Sequence, residues 1–323
     1  MHVTRNMLHK DVRLIGTLLR PFTSGMTEER FRKARENEIG RVEKKLSGRG
    51  WPGVEYVYLP RSDGSRMRMM ILRPTCSDAP VPILLWLHGG GYVLGYPENE
   101  LGYIRGLMNA ADCVVVSPDY RLGTEAPYPA ALEDAYNALL WAKEHAGDLG
   151  GDKNRILVGG SSAGGGLTAA LCILARDKNE VHIAFQLPIY PMLDDRGSTP
   201  SAKDNDAPMW DADSNRAAWK LYLGKLYGSA DVPPTAAPAR LKDFSGLPPA
   251  YSYVGTVEPF YDETRLYFEA LRDAGVEAEL DVYAGGFHGF DTFAEKKPLG
   301  REAREKLYAA FRRAAANYTA ENR

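Results

Sequence analysis

Ile156-Leu157-Val158-Gly159-Gly160-Ser161-Ser162-Ala163-Gly164 runs three branched apolar residues into two glycines, two serines and then an alanine- and leucine-rich segment that continues to about Ala175. The order is that of a strand, a tight turn and a helix. Within it, Gly160-Ser161-Ser162-Ala163-Gly164 fits G-x-S-x-G, the nucleophile elbow, in which a serine stands on a sharp, strained turn whose tiny neighbours permit close approach. The pentapeptide alone also fits a glycine-rich turn whose serine merely caps a helix. Its position between a strand and a helix favours the elbow.

On either side, strand and helix patterns alternate from about residue 53 to 300. Val54–Leu59 and Met67–Leu72 flank the turn Ser62-Asp63-Gly64-Ser65 and read as a β-hairpin. Ile83–Leu87 is nearly all apolar, as a strand buried on both faces requires. A helix over about 98–111, a strand at Cys113–Val116 and a helix over Ala130–His145 lead to the elbow. Beyond it come strands at Ile183–Ile189, Ala250–Val254 and Ala278–Tyr283, with helices over about 261–274 and 301–317. This alternation predicts an α/β fold, a mostly parallel sheet covered by helices on both faces, with the hairpin antiparallel at one edge. Two segments break the pattern. Residues 1–50 are helical and polar, with Thr27 an N-cap ahead of Glu28 and Glu29. Residues 195–246 insert Trp210, Trp219, prolines and charge between two strands, and an insertion of that length is usually functional. Both read as a helical cap over the C-terminal edge of the sheet, so the 323 residues form one domain with its cap.

Composition narrows the function. Apolar residues make up 44% and charged residues 25%, which suits a globular protein with a substantial core. With 40 basic and 42 acidic residues the net charge is −2, and no long run of one sign occurs. These features speak against nucleic acid or an anionic membrane surface as partner. Cys76, Cys113 and Cys172 are few, odd in number and widely spaced, which is no disulfide framework. Cys113 and Cys172 sit in apolar stretches that read as core. Met1–Arg20 is broken by His, Lys, Asp and Arg and is no signal peptide, and no apolar run approaches the ~18 residues of a membrane span. A cytoplasmic protein is expected.

His88-Gly89-Gly90-Gly91-Tyr92 follows the strand Ile83–Leu87 directly. Three glycines leave backbone N–H groups unobstructed, as in the loop that completes an oxyanion hole in lipases and esterases. The expected donors are Gly90, Gly91 and Ala163, aimed at developing negative charge, with His88 holding the loop. A general base follows the serine if the chain order is Ser, acid, His. His182 opens a buried strand and has only Asp177 and Glu180 between it and Ser162, whereas His288 lies in the glycine loop Gly285-Gly286-Phe287-His288-Gly289-Phe290. His288 is therefore the base. For the acid, Glu258 stands in the loop after Ala250–Val254, in reach of an imidazole. Asp262 and Glu263 fall in the next helix's first turn, where acids are expected for dipole reasons alone. Asp194 and Asp195 are the other candidates. Tyr92, Trp210, Trp219 and Phe287 are the aromatic candidates for a substrate pocket.

Taken together the motifs resemble the hormone-sensitive-lipase family of α/β-hydrolases, chiefly its bacterial esterases and acetyl esterases. The resemblance also rests on Asp119-Tyr120-Arg121-Leu122, on Glu125-Ala126-Pro127-Tyr128-Pro129-Ala130-Ala131, on Tyr190-Pro191-Met192-Leu193-Asp194-Asp195 and on Ser245-Gly246-Leu247-Pro248-Pro249-Ala250. It spans about residues 54–290. It implies an α/β-hydrolase fold, a carboxylesterase for small, short-acyl esters with neither cofactor nor metal, and a cap from the N-terminus and the mid-chain insertion. It also implies a homodimer through the edge strand 278–283. This chain departs at two positions. Ser161 stands where the family usually has Asp, and Glu258-Pro259-Phe260 where it has Asp-Pro-Leu. The triad does not fix the leaving group, so an amidase, deacetylase or lactonase remains open, as does a non-catalytic ligand-binding module of the same fold. Gly164-Gly165-Gly166-Leu167-Thr168-Ala169 also fits a dinucleotide fingerprint, but it lies inside a helix and lacks the acid about 20 residues on.

Overall fold

A computed structural model describes residues 1–48, 50–75 and 79–320, so Cys76 lies outside the described residues. In chain order the elements are α1 (Lys10–Thr23), α2 (Glu28–Leu46), β1 (Glu55–Pro60), β2 (Arg66–Leu72), β3 (Val81–Leu87), α3 (Leu101–Ala110), β4 (Val114–Pro118), α4 (Ala130–Glu144), α5 (Ala146–Leu149), β5 (Gly151–Ser161), α6 (Ala163–Lys178), β6 (Phe185–Ile189), α7 (Ala212–Leu223), β7 (Ala250–Gly255), α8 (Tyr261–Asp273), β8 (Ala278–Tyr283), α9 (Phe290–Phe293) and α10 (Pro298–Asn317). The strands form one eight-stranded sheet in the order β1-β2-β4-β3-β5-β6-β7-β8. β1 and β2 pair antiparallel with each other, and β2 with β4, while all later pairings are parallel.

Sequence explains which strands lie where. β3 (Val-Pro-Ile-Leu-Leu-Trp-Leu) and β4 are buried at every position, as central strands covered on both faces must be. β1 and β8, at the two edges, carry exposed and half-buried residues instead. One apolar layer joins the sheet to α4, α6 and α8, and the other joins it to α3 and α10. α6 is buried along nearly its whole length, which its run of Gly, Ala and Leu allows in place of the usual polar stripe. Cys113 and Cys172 are buried, the expected core positions. No helix among the described residues is long and apolar enough to cross a membrane.

The two segments outside the alternation pack on one another. Thr27 caps α2 by accepting from the Arg30 N–H, and Asp211 caps α7 by accepting from the Ser214 N–H. Asp211 also accepts from the Gly25 N–H at 2.7 Å, and Ser214 Oγ from the Met26 N–H at 3.0 Å, which ties the N-terminal segment to the insertion. The rings of Phe31 and Trp210 meet at 5.9 Å between them. Only the N-terminal segment is mainly helical. Residues 195–246 hold α7, two short 3-10 turns and otherwise loop, because five of its residues are proline or glycine between 224 and 238.

Candidate active site

β5 runs through Gly159 and Gly160 to Ser161 and stops there. Ser162 takes φ +57° and ψ −118°, and α6 starts at Ala163. A non-glycine residue in this region costs about 1–3 kcal/mol and persists only where its surroundings impose it. Here they do. The Ser162 N–H donates to Ile189 O at 2.9 Å, while Ser162 O accepts from Gly166 N–H and Met192 N–H at 2.9 and 3.0 Å. Gly160 is required by close approach, since a Cβ there would lie 2.4 Å from Leu87 O.

Two further segments bring their side chains to Ser162. Its hydroxyl donates to His288 Nε2 at 2.8 Å, and His288 Nδ1–H donates to Glu258 Oε2 at 2.5 Å. The other carboxylate oxygen of Glu258 accepts from the Gly255 N–H at 3.0 Å, which fixes the acid where β7 ends. Glu258 is fully buried, and Ser162 and His288 each keep 8% of their surface exposed. The competing acids are engaged elsewhere. Asp194 holds Arg196, Asp195 holds Arg240, and Asp262 accepts from the Ser201 N–H at 2.8 Å.

The serine and histidine open into a cleft of about 510 Å³, also lined by Gly90, Gly91, Tyr190 and Trp210. This is within the usual size of a small-molecule site, about 300–1,000 Å³. The N–H groups of Gly90 and Gly91 have no acceptor among the described residues, and Ala163, first in its helix, has none by position. Gly91 adopts φ +64°, and a Cβ on it would meet the Trp210 ring at 2.2 Å, so the loop and the cap close on each other only through glycine.

A nucleophile-type serine, an imidazole, a buried acid and free backbone donors around one cleft can carry acyl transfer. The family model described as alpha/beta hydrolase fold matches residues 84–292. The chain belongs to the α/β-hydrolase family. Esterase LipI of Mycobacterium tuberculosis is 39% identical over 241 residues, 74% of this chain and 75% of its own. Carboxylesterase NlhH of the same organism is 40% identical over 239 residues, 72% and 74% of the two chains. Among solved structures, a bacterial heroin esterase superposes with a TM-score of 0.87 at 33% identity, over 98% of this chain and 100% of that one. The resemblance to the hormone-sensitive-lipase branch is borne out.

Of the four aromatic residues expected around the pocket of this α/β-hydrolase, only Trp210 lines it. Tyr92 has φ +62°, which turns its ring away from the cleft to stack on Tyr222 at 4.0 Å. Trp219 packs against both rings in that cluster, at 5.6 and 5.8 Å. Phe287 is fully buried beneath α1, so close that a Cβ on Gly16 would lie 2.9 Å from its ring. Aromatic character told that these residues pack, but not into which space.

Other residues of the hydrolase's site escaped the sequence reading. Tyr190 stands edge-on to the His288 ring at 4.9 Å. Glu263 does more than complement a helix dipole. It is buried, and its Oε1 accepts from the N–H groups of Leu193 and Asp194 at 2.6 and 3.3 Å, clamping the loop whose Met192 N–H supports Ser162. Burial, with Asp194 nearby, holds its carboxyl well above the usual carboxylate range.

His88 holds the glycine loop from inside. Its Nδ1–H donates to Gly89 O at 2.8 Å, its carbonyl accepts from Tyr120 OH at 2.6 Å, and the two rings stack at 4.2 Å. Burial pushes the imidazole down to about 3 from an ordinary 6.5. Between those values the unfolded chain binds a proton that the folded chain refuses. The stability linked to His88 is thus complete above about pH 6.5 and is lost as pH falls towards 3. From pH 7 to pH 5 the loss is about 2 kcal/mol. Urea unfolding at both pH values is expected to show a drop smaller by about that amount in His88→Asn than in the native protein. An equal drop in both would show that His88 is not buried as a neutral ring.

Proposed function

We propose that this carboxylic-ester hydrolase cleaves short-acyl esters through an acyl-enzyme formed on Ser162. The reading rests on one observation above all, the unbroken hydrogen-bond chain from Ser162 through His288 to buried Glu258 at the floor of the cleft. His288 Nε2 takes the Ser162 proton as the oxygen attacks the ester carbonyl. Glu258 keeps Nδ1 protonated and stabilises the imidazolium that forms. The N–H groups of Gly90, Gly91 and Ala163 receive the oxyanion, an interaction that strengthens as charge develops and so lowers the barrier. His288 then returns the proton to the departing alcohol, and water activated by the same imidazole releases the acid.

The preference for short acyl groups draws on the cleft's shape. Trp210 stands 6.5 Å from the His288 ring, and Phe31 backs it, so the insertion and the N-terminal segment close over the nucleophile. A panel of soluble esters is expected to give the highest kcat/KM at C2–C6 acyl lengths. Faster hydrolysis of C12–C16 esters would overturn that preference. Amides matched to the best ester separate an esterase from an amidase on the same machinery, and slow or absent amide turnover is expected.

The proposal includes assembly as a homodimer through β8. This strand ends the sheet, so its outer row of backbone groups is open to pairing with a second copy. Val282 is 46% exposed there, while Glu279 and Asp281 are held by Arg313 and Lys306 of α10. Sedimentation at micromolar concentration is expected to give a dimer, and a monomer would refute this part of the proposal.

A further inference from the structure

Ser161 stands beside the nucleophile on the elbow, and the fold brings a carboxyl to it from a distant segment. Glu100, the residue before α3, points its Oε1 at two donors, Ser161 Oγ–H at 3.0 Å and Gly89 N–H at 3.2 Å. Its Oε2 faces Trp86 Nε1–H at 3.4 Å. The residue is 8% exposed and lines the cleft, and no cation pairs with it among the described residues. Burying a carboxyl without a counter-charge is costly, and here three donors from β3, the glycine loop and the elbow offset the cost.

The placement of those donors gives the carboxyl its meaning. Gly89 directly precedes Gly90 and Gly91, and Ser161 directly precedes Ser162. One side chain is therefore bonded to the neighbour of each half of the reacting centre, the oxyanion loop and the nucleophile. Resting on the reading of Ser162, Gly90 and Gly91 above, we propose that Glu100 is a positioning residue whose carboxylate ties the oxyanion loop to the nucleophile elbow. Glu100 touches neither the substrate carbonyl nor the leaving group. It acts through the distance between the oxyanion donors and Ser162 Oγ, so its loss appears in kcat, where interactions made only in the transition state are felt. Burial raises its carboxyl above the ordinary range while the three donors pull it back.

Moving the carboxyl tests the proposal. Glu100→Ala is expected to lower kcat for a C2–C4 ester about 10²-fold, with KM within about threefold of the native value, because all three donors lose their acceptor and the loop drifts. Glu100→Gln keeps one acceptor oxygen but sets an NH2 against a donor, and is expected to lose about 10-fold. Ser161→Asp in the native background forces two carboxyls together in a buried space and lowers kcat. The same Ser161→Asp placed on Glu100→Ala restores at least about 10-fold of the lost kcat, because the carboxyl is returned from the other side. If Glu100→Ala does not fold by circular dichroism, Glu100→Gln with and without Ser161→Asp makes the same comparison. The proposal falls if Glu100→Ala keeps kcat within about threefold of native, if its effect is confined to KM, or if Ser161→Asp is equally harmful in both backgrounds. Ser162→Ala run alongside separates the two levels. Turnover by that variant would sink the triad reading itself, whereas its inactivity leaves the Glu100 series to speak for positioning alone.

Discussion

The Ser162→Ala variant is expected to lose about 10⁶ in kcat while KM changes little, the scale seen when the nucleophile of another serine hydrolase, subtilisin, is removed. No nearby hydroxyl takes its place. Ser161 Oγ–H is committed to Glu100 at 3.0 Å, while His288 Nε2 is held by Ser162 at 2.8 Å. The residual rate reflects binding and the backbone donors of the glycine loop, which the substitution leaves alone. Fold is preserved, because the bonds that impose the turn at 162 come from its N–H and carbonyl rather than from its hydroxyl. Steady-state kinetics with a short-acyl ester checks this, and retention of more than about 1% of native kcat would contradict it.

Neutralising Glu258 carries the second largest effect. In Glu258→Gln the amide oxygen still accepts from the Gly255 N–H, so its NH2 faces His288 Nδ1. That arrangement favours an imidazole with Nδ1 as acceptor and the proton on Nε2, which then cannot take the Ser162 proton. The amide substitution of the triad acid in serine proteases costs about 10⁴ in kcat, and a loss of that order is expected here. Glu258→Asp keeps the carboxylate but shortens its reach by about 1.5 Å, one carbon–carbon bond, and is expected to retain partial activity. Asp262→Asn is expected to cost about 0.3–1 kcal/mol of stability without loss of chemistry, as its carboxylate serves a helix start and the Ser201 N–H. Asp194→Asn likewise leaves turnover nearly intact, since that acid holds Arg196. Loss of turnover in folded Asp194→Asn with an active Glu258→Gln would move the acid to the loop after β6.

These expectations were legible because the chemistry sits in local patterns. The elbow and the glycine loop each follow a strand directly, and a strand–turn–helix order is written in consecutive residues. Chain order then confines the base to two histidines and the acid to a few loops. Their convergence, Ser162 with His288 and His288 with Glu258, follows from parallel strands that end at the same edge of the sheet.

What sequence concealed depends on contacts between distant segments. Glu100 reads as an ordinary polar start to α3, and only the packing of that start against the elbow, 61 residues on, shows its use. Glu263 sits beside Asp262 at a helix N-terminus, and rotation about the helix sends one to a loop 70 residues back and the other to the Ser201 N–H. Tyr92, Trp219 and Phe287 carry the right chemistry for a pocket wall, but a positive φ turns Tyr92 into a buried aromatic cluster that Trp219 joins from α7, and α1 covers Phe287. Side-chain direction is set by backbone geometry that composition does not encode.

Covalent labelling tests the central claim, that Ser162 is the nucleophile, most directly. The native protein treated with a fluorophosphonate, digested and examined by mass spectrometry is expected to carry a single added mass on the peptide containing Ser162, with fragment ions placing it on that residue and not on Ser161. Ser162→Ala is expected to carry none. A label on Ser161 or on another residue, or a label that persists in Ser162→Ala, would contradict the account.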